Sequence, residues 1–221
     1  MRKISTRMSV LLSITVLLLL SACVGPSAEE NMYNKLEKVV ELEDKFKDQQ
    51  QPLVEIEQKE SKLYNEIMSL GMKEFDKIVA LSKEALSLVE ERESKLKAEY
   101  DSIMSSKEEF ESVGEEIEKI EDVDLEKKAK ELKETMIERY KSYESLYKNY
   151  ESSISLDKEL YSMLQNEDLT MEELESQIND INDSYKKVIE QNEKFNTLTE
   201  EYNNLKLEFY EQAELNIDKS E

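Results

Sequence analysis

Apolar residues return every three or four positions from Val39 to Ala213, and the chain holds almost nothing that could interrupt them. Only three glycines and two prolines occur in 221 residues, which leaves little turn chemistry. A repeat near 3.5 selects helix over strand, whose side chains alternate with period two. Kept up over many turns, it also implies a left-handed supercoil. The chain is therefore confined to long amphipathic helices that bury one stripe against each other, with the 37% charged residues on the outer faces.

Four runs follow the repeat. The first goes from Val39 through Gln49 and Glu60 to Leu70, and the second from Phe75 through Arg92, Glu99 and Ile103 to Ile120. Ten of the 14 seam positions in the second run are apolar, so its register is well defined. The third extends from Leu125 through Arg139, Tyr143, Ser153 and Asp157 to Leu164, and the last from Met171 through Tyr185 and Asn192 to Ala213. Ser27-Ala28-Glu29-Glu30 and Thr170-Met171-Glu172-Glu173 have the form of capping boxes. Asp122 offers an N-cap, and Gly71 stands where a helix C-cap favours glycine. Pro52, after Gln49-Gln50-Gln51, predicts a break in the first helix. The joining turns are short and force antiparallel neighbours. The expected fold is all-α, an elongated up-and-down four-helix bundle with left-handed twist, about 60–75 Å long at 1.5 Å per residue. The alternative is a three-helix bundle on which the first helix packs only partly. Ile103 falls on the seam and Ser102 beside it, so a charge at Ile103 should cost several kcal/mol and one at Ser102 little.

The first 23 residues have a different purpose. Arg2, Lys3 and Arg7 precede an uncharged Leu-rich run, Met8 to Leu20, and small residues then lead to the only cysteine, Cys23. That order is a secretory signal. Leu20-Ser21-Ala22-Cys23 is a lipobox, which predicts cleavage of residues 1–22 and a diacylglyceryl cysteine carrying palmitate at the new N-terminus. An uncleaved anchor is disfavoured because Ser21, Gly25, Pro26 and Ser27 dilute the apolar run. The expected organisation is a cleaved signal at 1–22, a lipidated linker at 23–28, a bundle at 29–216 and a disordered tail at 217–221. The expected location is the outer face of the cell membrane, because two acyl chains hold a protein there stably.

Charge narrows the function. Losing residues 1–22 removes three basic residues and no acids, so the net charge falls from −22 to −25. Nucleic acid, which needs a basic footprint, is excluded as a general partner. Anionic headgroups would repel the chain, leaving attachment to the covalent lipid, and acidic wall polymers would repel it equally unless divalent cations mediate. With no histidine, no second cysteine and no Gly-rich phosphate loop, neither a Ser-His-Asp nor a Cys-His nucleophile can be assembled. No catalytic residue, metal ligand or cofactor is assigned.

Particular stretches carry a family likeness. Leu63-Tyr64-Asn65-Glu66-Ile67, Gly71-Met72-Lys73-Glu74-Phe75-Asp76-Lys77-Ile78 and Met136-Ile137-Glu138-Arg139-Tyr140 are among them, as are Phe195-Asn196-Thr197-Leu198-Thr199, Tyr202-Asn203 and Phe209-Tyr210. With the lipobox, these resemble the YkyA family of cell-wall-binding lipoproteins of Gram-positive bacteria. The resemblance implies a left-handed up-and-down four-helix bundle and wall binding, and it brings no catalytic residues.

Beyond residue 22 only two arginines remain, Arg92 and Arg139, both on seam positions. Folding the chain about its turns sets Arg92 level with Gln49 to Gln51, Ser153 and Asp157, and Asn182 or Asp183. Such a polar layer fixes register or forms a binding pocket. Tyr140, Tyr143, Tyr147 and Tyr150 form a stripe suited to packing or to stacking against sugar rings. The acidic run Glu115-Glu116, Glu118 and Glu121-Asp122 is expected on a solvated face. The sequence thus describes a non-enzymatic surface lipoprotein that binds peptidoglycan or an envelope protein, or a scaffold for another membrane or secreted protein. A pore-forming toxin is disfavoured, since no segment after Cys23 is apolar enough to insert.

Overall fold

The computed structural model describes residues 25–215. Cys23, the lipobox and the C-terminal tail lie outside them. The described chain is all helix and turn. Helices α1 (Ala28–Leu42) and α2 (Asp44–Ser69) form the first arm, and α3 (Phe75–Glu111) with short α4 (Val113–Ile117) the second. Helices α5 (Val123–Met163) and α6 (Met171–Gln212) complete a four-arm bundle.

Both capping boxes close as their residue types require. Ser27 Oγ accepts from the Glu30 N–H at 3.2 Å while Glu30 accepts from the Ser27 N–H at 2.9 Å, and Thr170 and Glu173 repeat the arrangement. Asp122 caps α5 by accepting from Asp124 and Leu125, each at 2.9 Å. Gly71 is not the left-handed cap that its position suggested. Its φ is −98°, and a 3-10 turn, Met72–Glu74, carries the chain into α3.

The first arm does not break at Pro52, which lies inside α2. The break falls at Glu43, and a side chain from another helix accompanies it. Ser102 Oγ on α3 donates to the Leu42 carbonyl at 2.6 Å and accepts from the Phe46 N–H at 3.1 Å. Those are the two groups that would bond each other in an unbroken helix, so the hydroxyl is inserted into the ladder. Ser102 is consequently buried, and the expectation that it tolerates charge is overturned. Ser102→Ala should lower stability by about 1–3 kcal/mol, because a buried carbonyl and N–H lose their partner. Ser102→Asp should lower it as clearly as Ile103→Asp does. Urea unfolding of the three variants checks this.

Helices α3 and α5 form the central pair. Helix α2 packs along α3, α6 packs along α5, and α1 covers α3 and α4. One apolar cluster surrounds Leu36, Ile103, Phe110, Met136 and Phe209, and a second surrounds Ile67, Val89, Leu96, Ile154 and Leu160. The first and last arms touch at one end, where Tyr33 meets Tyr210 (ring centroids 4.9 Å apart) and Phe46 meets Phe195 (5.8 Å). Beyond Phe46, α2 and α6 part. The seam of α6 is then only half covered: Ile178, Ile181, Tyr185 and Val188 are half-buried, and Ile189 is 57% exposed.

Candidate functional site

The gap between α2 and α6 is a cleft of about 610 Å³. One wall is α2 from Gln50 to Tyr64, the other is α6 from Ile178 to Asn196, and the floor comes from α3 and α5. Val54, 45% exposed, and Ile189 stand among its lining residues. Leu53, Leu96, Leu160, Ile181 and Val188 give it aliphatic surface, and Tyr64, Tyr143, Tyr147, Tyr150, Tyr161 and Tyr185 give it rings. A mostly apolar cavity with a few convergent polar groups is the usual form of a ligand site.

The polar floor is centred on Arg92, which is 2% exposed. Its guanidinium pairs with Asp157 on α5, donates to Tyr185 Oη on α6 at 2.9 Å, and lies 3.0 Å from Glu60 Oε2 on α2. Tyr185 donates in turn to Asp157 at 2.7 Å. The layer therefore joins all four arms, and the Tyr150 ring flanks the guanidinium at 5.6 Å. Two buried atoms in it, Glu60 Oε2 and Arg92 Nε, have no hydrogen-bond partner.

The structure brings Arg92 and Asp157 together as the seam pattern placed them. Ser153 lies one turn away, donating to the Asn149 carbonyl and sharing a 2.7 Å hydrogen bond with Ser184. Gln49 is half-buried and outside the cleft's lining, so it does not belong to the layer, and Gln50 instead donates to Glu99. Asp183 is on the surface, paired with Lys186 at 2.7 Å. The displacement has a geometric cause. Glu43 faces Ser106 and Gln50 faces Glu99, so the α2–α3 hairpin folds about residues 74–75 and not about Gly71. That slides Glu60 up to Arg92. Both Glu60 and Glu99 are polar seam positions, which was the available signal. Tyr140 and Tyr143 are buried, while Tyr143, Tyr147 and Tyr150 line the cleft. The tyrosine stripe thus serves packing and cleft together.

A second buried arginine closes the end of the cleft. Arg139 forks onto Glu43 at 2.8 and 2.7 Å, donates to Thr199 Oγ1 at 2.9 Å and sits 4.7 Å from the Phe195 ring centroid. Glu43 is the residue at the helix break, so the insertion by Ser102 sets the carboxylate that Arg139 binds. In the acidic run, Glu116 is buried beneath Lys35 and Lys119, each at 3.0 Å. It does not lie on a solvated face, and hydrogen bonds from those lysines hold its carboxyl below the usual range. Among the described residues no cluster of His, Cys, Asp and Glu has the form of a metal site, and no helix is long and apolar enough to cross a membrane.

Burial pushes the Glu99 carboxyl up to about 8, against the hydrogen bond from Gln50, and the Glu60 carboxyl up to about 7, against Arg92. Between the ordinary value of 4.5 and these values, the folded chain keeps protons that the unfolded chain has lost. The stability they contribute is present below pH 4.5 and is lost as pH rises through 7 to 8. Glu116 acts in the opposite sense and only toward acid. Glu99→Gln keeps the Gln50 bond without the charge, so it should flatten the fall in stability between pH 6 and 8.5. At pH 8.5 it should be the more stable protein by about 1–3 kcal/mol, measured by urea unfolding.

Comparison with known proteins bears on this arrangement. The bundle resembles the crystal structure of a conserved protein of unknown function from Staphylococcus aureus, with a TM-score of 0.63. That match has 18% identity and covers 85% of this chain and 98% of the other, so it speaks to the fold. The chain is 39% identical over 203 residues to the uncharacterized lipoprotein YkyA of Bacillus subtilis strain 168, covering 92% of this chain and 91% of that protein. Residues 27–212 match the model of the family described as "Putative cell-wall binding lipoprotein". That match spans all six helices and every residue of the cleft, and the chain belongs to the YkyA lipoprotein family.

Proposed function

We propose that this protein is a non-enzymatic binding lipoprotein, anchored through Cys23 to the outer face of the membrane, that holds an envelope component in the cleft between α2 and α6. The observation that carries this is the uncovered seam of α6. Ile178, Ile181 and Val188 repeat as core residues do, yet they face an open cavity of about 610 Å³. The second and third arms bury nearly every seam position, and this seam is left free for an occupant. The family description supports the wall as its source. The short linker after Cys23 keeps the bundle's root near the lipid.

Co-sedimentation with purified wall sacculi tests the proposal. Wild type should be retained, and Val54→Arg with Ile189→Arg should abolish retention without unfolding the bundle, since both residues stand partly exposed in the cleft. Retention unchanged by the double substitution would remove the cleft as the site. Loss of wall retention alongside recovery of one defined protein partner would favour the adaptor role. The anchor has its own expected result. Cys23→Ala should shift the protein out of the membrane fraction or leave it as uncleaved precursor, because lipid attachment and processing both need the thiol. A cleaved variant that still fractionates with membranes would contradict it.

A further inference from the structure

The cleft is lined by Glu57, Glu60, Glu99 and Asp157 against a single basic residue, Arg92, and among the described residues no lysine lines it. Arg92 is already engaged by Asp157 and Glu60, and Glu57 accepts from Tyr150. Glu99, 3% exposed, accepts from the Gln50 amide, and no cation pairs with it among the described residues. Glu60, 6% exposed, already meets the Arg92 guanidinium at 3.0 Å, which leaves Glu99 as the buried carboxyl without a cation among the described residues. Carboxylates this deeply buried are costly unless a positive charge meets them. The walls around them are rings and aliphatic chains, which favour a cation that carries an organic body.

We propose that the cleft binds an extended peptide through a lysine-type primary ammonium set against Glu99, with its methylene stem along Leu53 and Leu96. The proposal rests on the cleft being the ligand site. Its shape suits a peptide. The α2 wall from Gln50 to Tyr64 is about 20 Å long at 1.5 Å per residue, the length of about six extended residues. An anionic ligand would meet four carboxyl groups and one occupied arginine. A bare divalent cation would need several oxygens converging on one point, and no such cluster forms among the described residues.

The charge at the floor gives the binding a signature of its own. Glu99 faces Gln50 and Glu57 on α2 and Tyr143 on α5, while Glu60 faces Glu57 on its own helix, Arg92 on α3, Asp157 and Tyr161 on α5 and Tyr185 on α6. With burial holding a proton on Glu99 near neutrality, an arriving ammonium displaces it, so binding at pH 7 releases a proton.

The experiment is calorimetric titration of the lipidated mature protein in nanodiscs with two matched pairs of probes. One pair is acetyl-Ala-Ala-Lys-Ala-Ala-amide and its norleucine analogue, and the other is glucosamine and N-acetylglucosamine. The lysine peptide should bind at least tenfold more tightly than the norleucine peptide, with a heat that changes with the buffer's ionisation enthalpy. Glu99→Gln should erase both the preference and the proton release while leaving the protein folded by circular dichroism. Equal binding of the two peptides, binding of neither, or a preference that survives Glu99→Gln would overturn the proposal. A preference only within the sugar pair would overturn the lysine assignment. Sacculus retention keeps the two levels separate. If it is lost in Val54→Arg with Ile189→Arg but lysine is not preferred, the cleft stands and the ammonium falls.

Discussion

Arg92→Leu should lower the stability of the bundle by about 3–5 kcal/mol, the cost of leaving buried charge without its partner. The layer makes the effect large because one guanidinium serves three arms. Asp157 loses its cation, Tyr185 loses a donor, and Glu60 is left buried beside Asp157 and Glu57 with no cation. Asp157→Leu should cost a similar amount by stranding Arg92. Replacing Arg92, Asp157 and Glu60 together with leucine should recover most of the loss, since burying an ion cluster is seldom more stabilising than packing apolar groups in its place. Guanidinium chloride melts of the singles and the triple measure this. Recovery in the triple with wall retention intact would make the layer a device for register. Recovery with retention lost would make it part of the site.

Arg139→Leu should be the second most damaging substitution, at about 3 kcal/mol or more. The pair it breaks is bidentate, and Thr199 and the Phe195 ring fix the rest of the guanidinium. Glu43 is 17% exposed on its side chain, so water relieves part of the penalty and the effect should fall below that of Arg92. Glu43→Gln should lose about half as much, because an amide can accept from the guanidinium but carries no charge. A double-mutant cycle through Arg139→Leu and Glu43→Gln should show a coupling well above the level of exposed pairs. A coupling near zero would mean that the fork contributes nothing beyond packing.

The seams were legible residue by residue because a helix period identifies one face without knowledge of the partner. From Ile78 to Ile120 every seam position on the second arm is buried, the polar Ser82, Arg92, Glu99 and Ser106 included. The period cannot say whether another helix covers that face. Ile178, Ile181 and Val188 keep the same spacing as the buried seams, and only the path of α2 after Glu43 leaves them open. That path is set by Ser102, about 60 residues away from the groups it separates, so no local signal could announce it. Pro52 was the conspicuous local signal, and the helix continues through it. The Arg92–Asp157 pair was readable because both break the apolar repeat in facing runs. Glu60 and Tyr185 were missed because the level of a residue across a hairpin depends on where the turn folds, and a shift from Gly71 to residues 74–75 moves the partner by two helical turns.

The most direct measurement is photo-cross-linking in cells from single sites in the otherwise unaltered protein. A photoreactive phenylalanine at Val54 or Ile189 lies in the cleft, and one at Lys83 lies on an exposed part of α3 outside its lining. Adducts to one envelope component are expected from Val54 and Ile189 and none from Lys83, with the yield falling in Glu99→Gln. Adducts of equal yield from all three sites, or from Lys83 alone, would contradict the assignment of the cleft between α2 and α6 as the place where this lipoprotein binds.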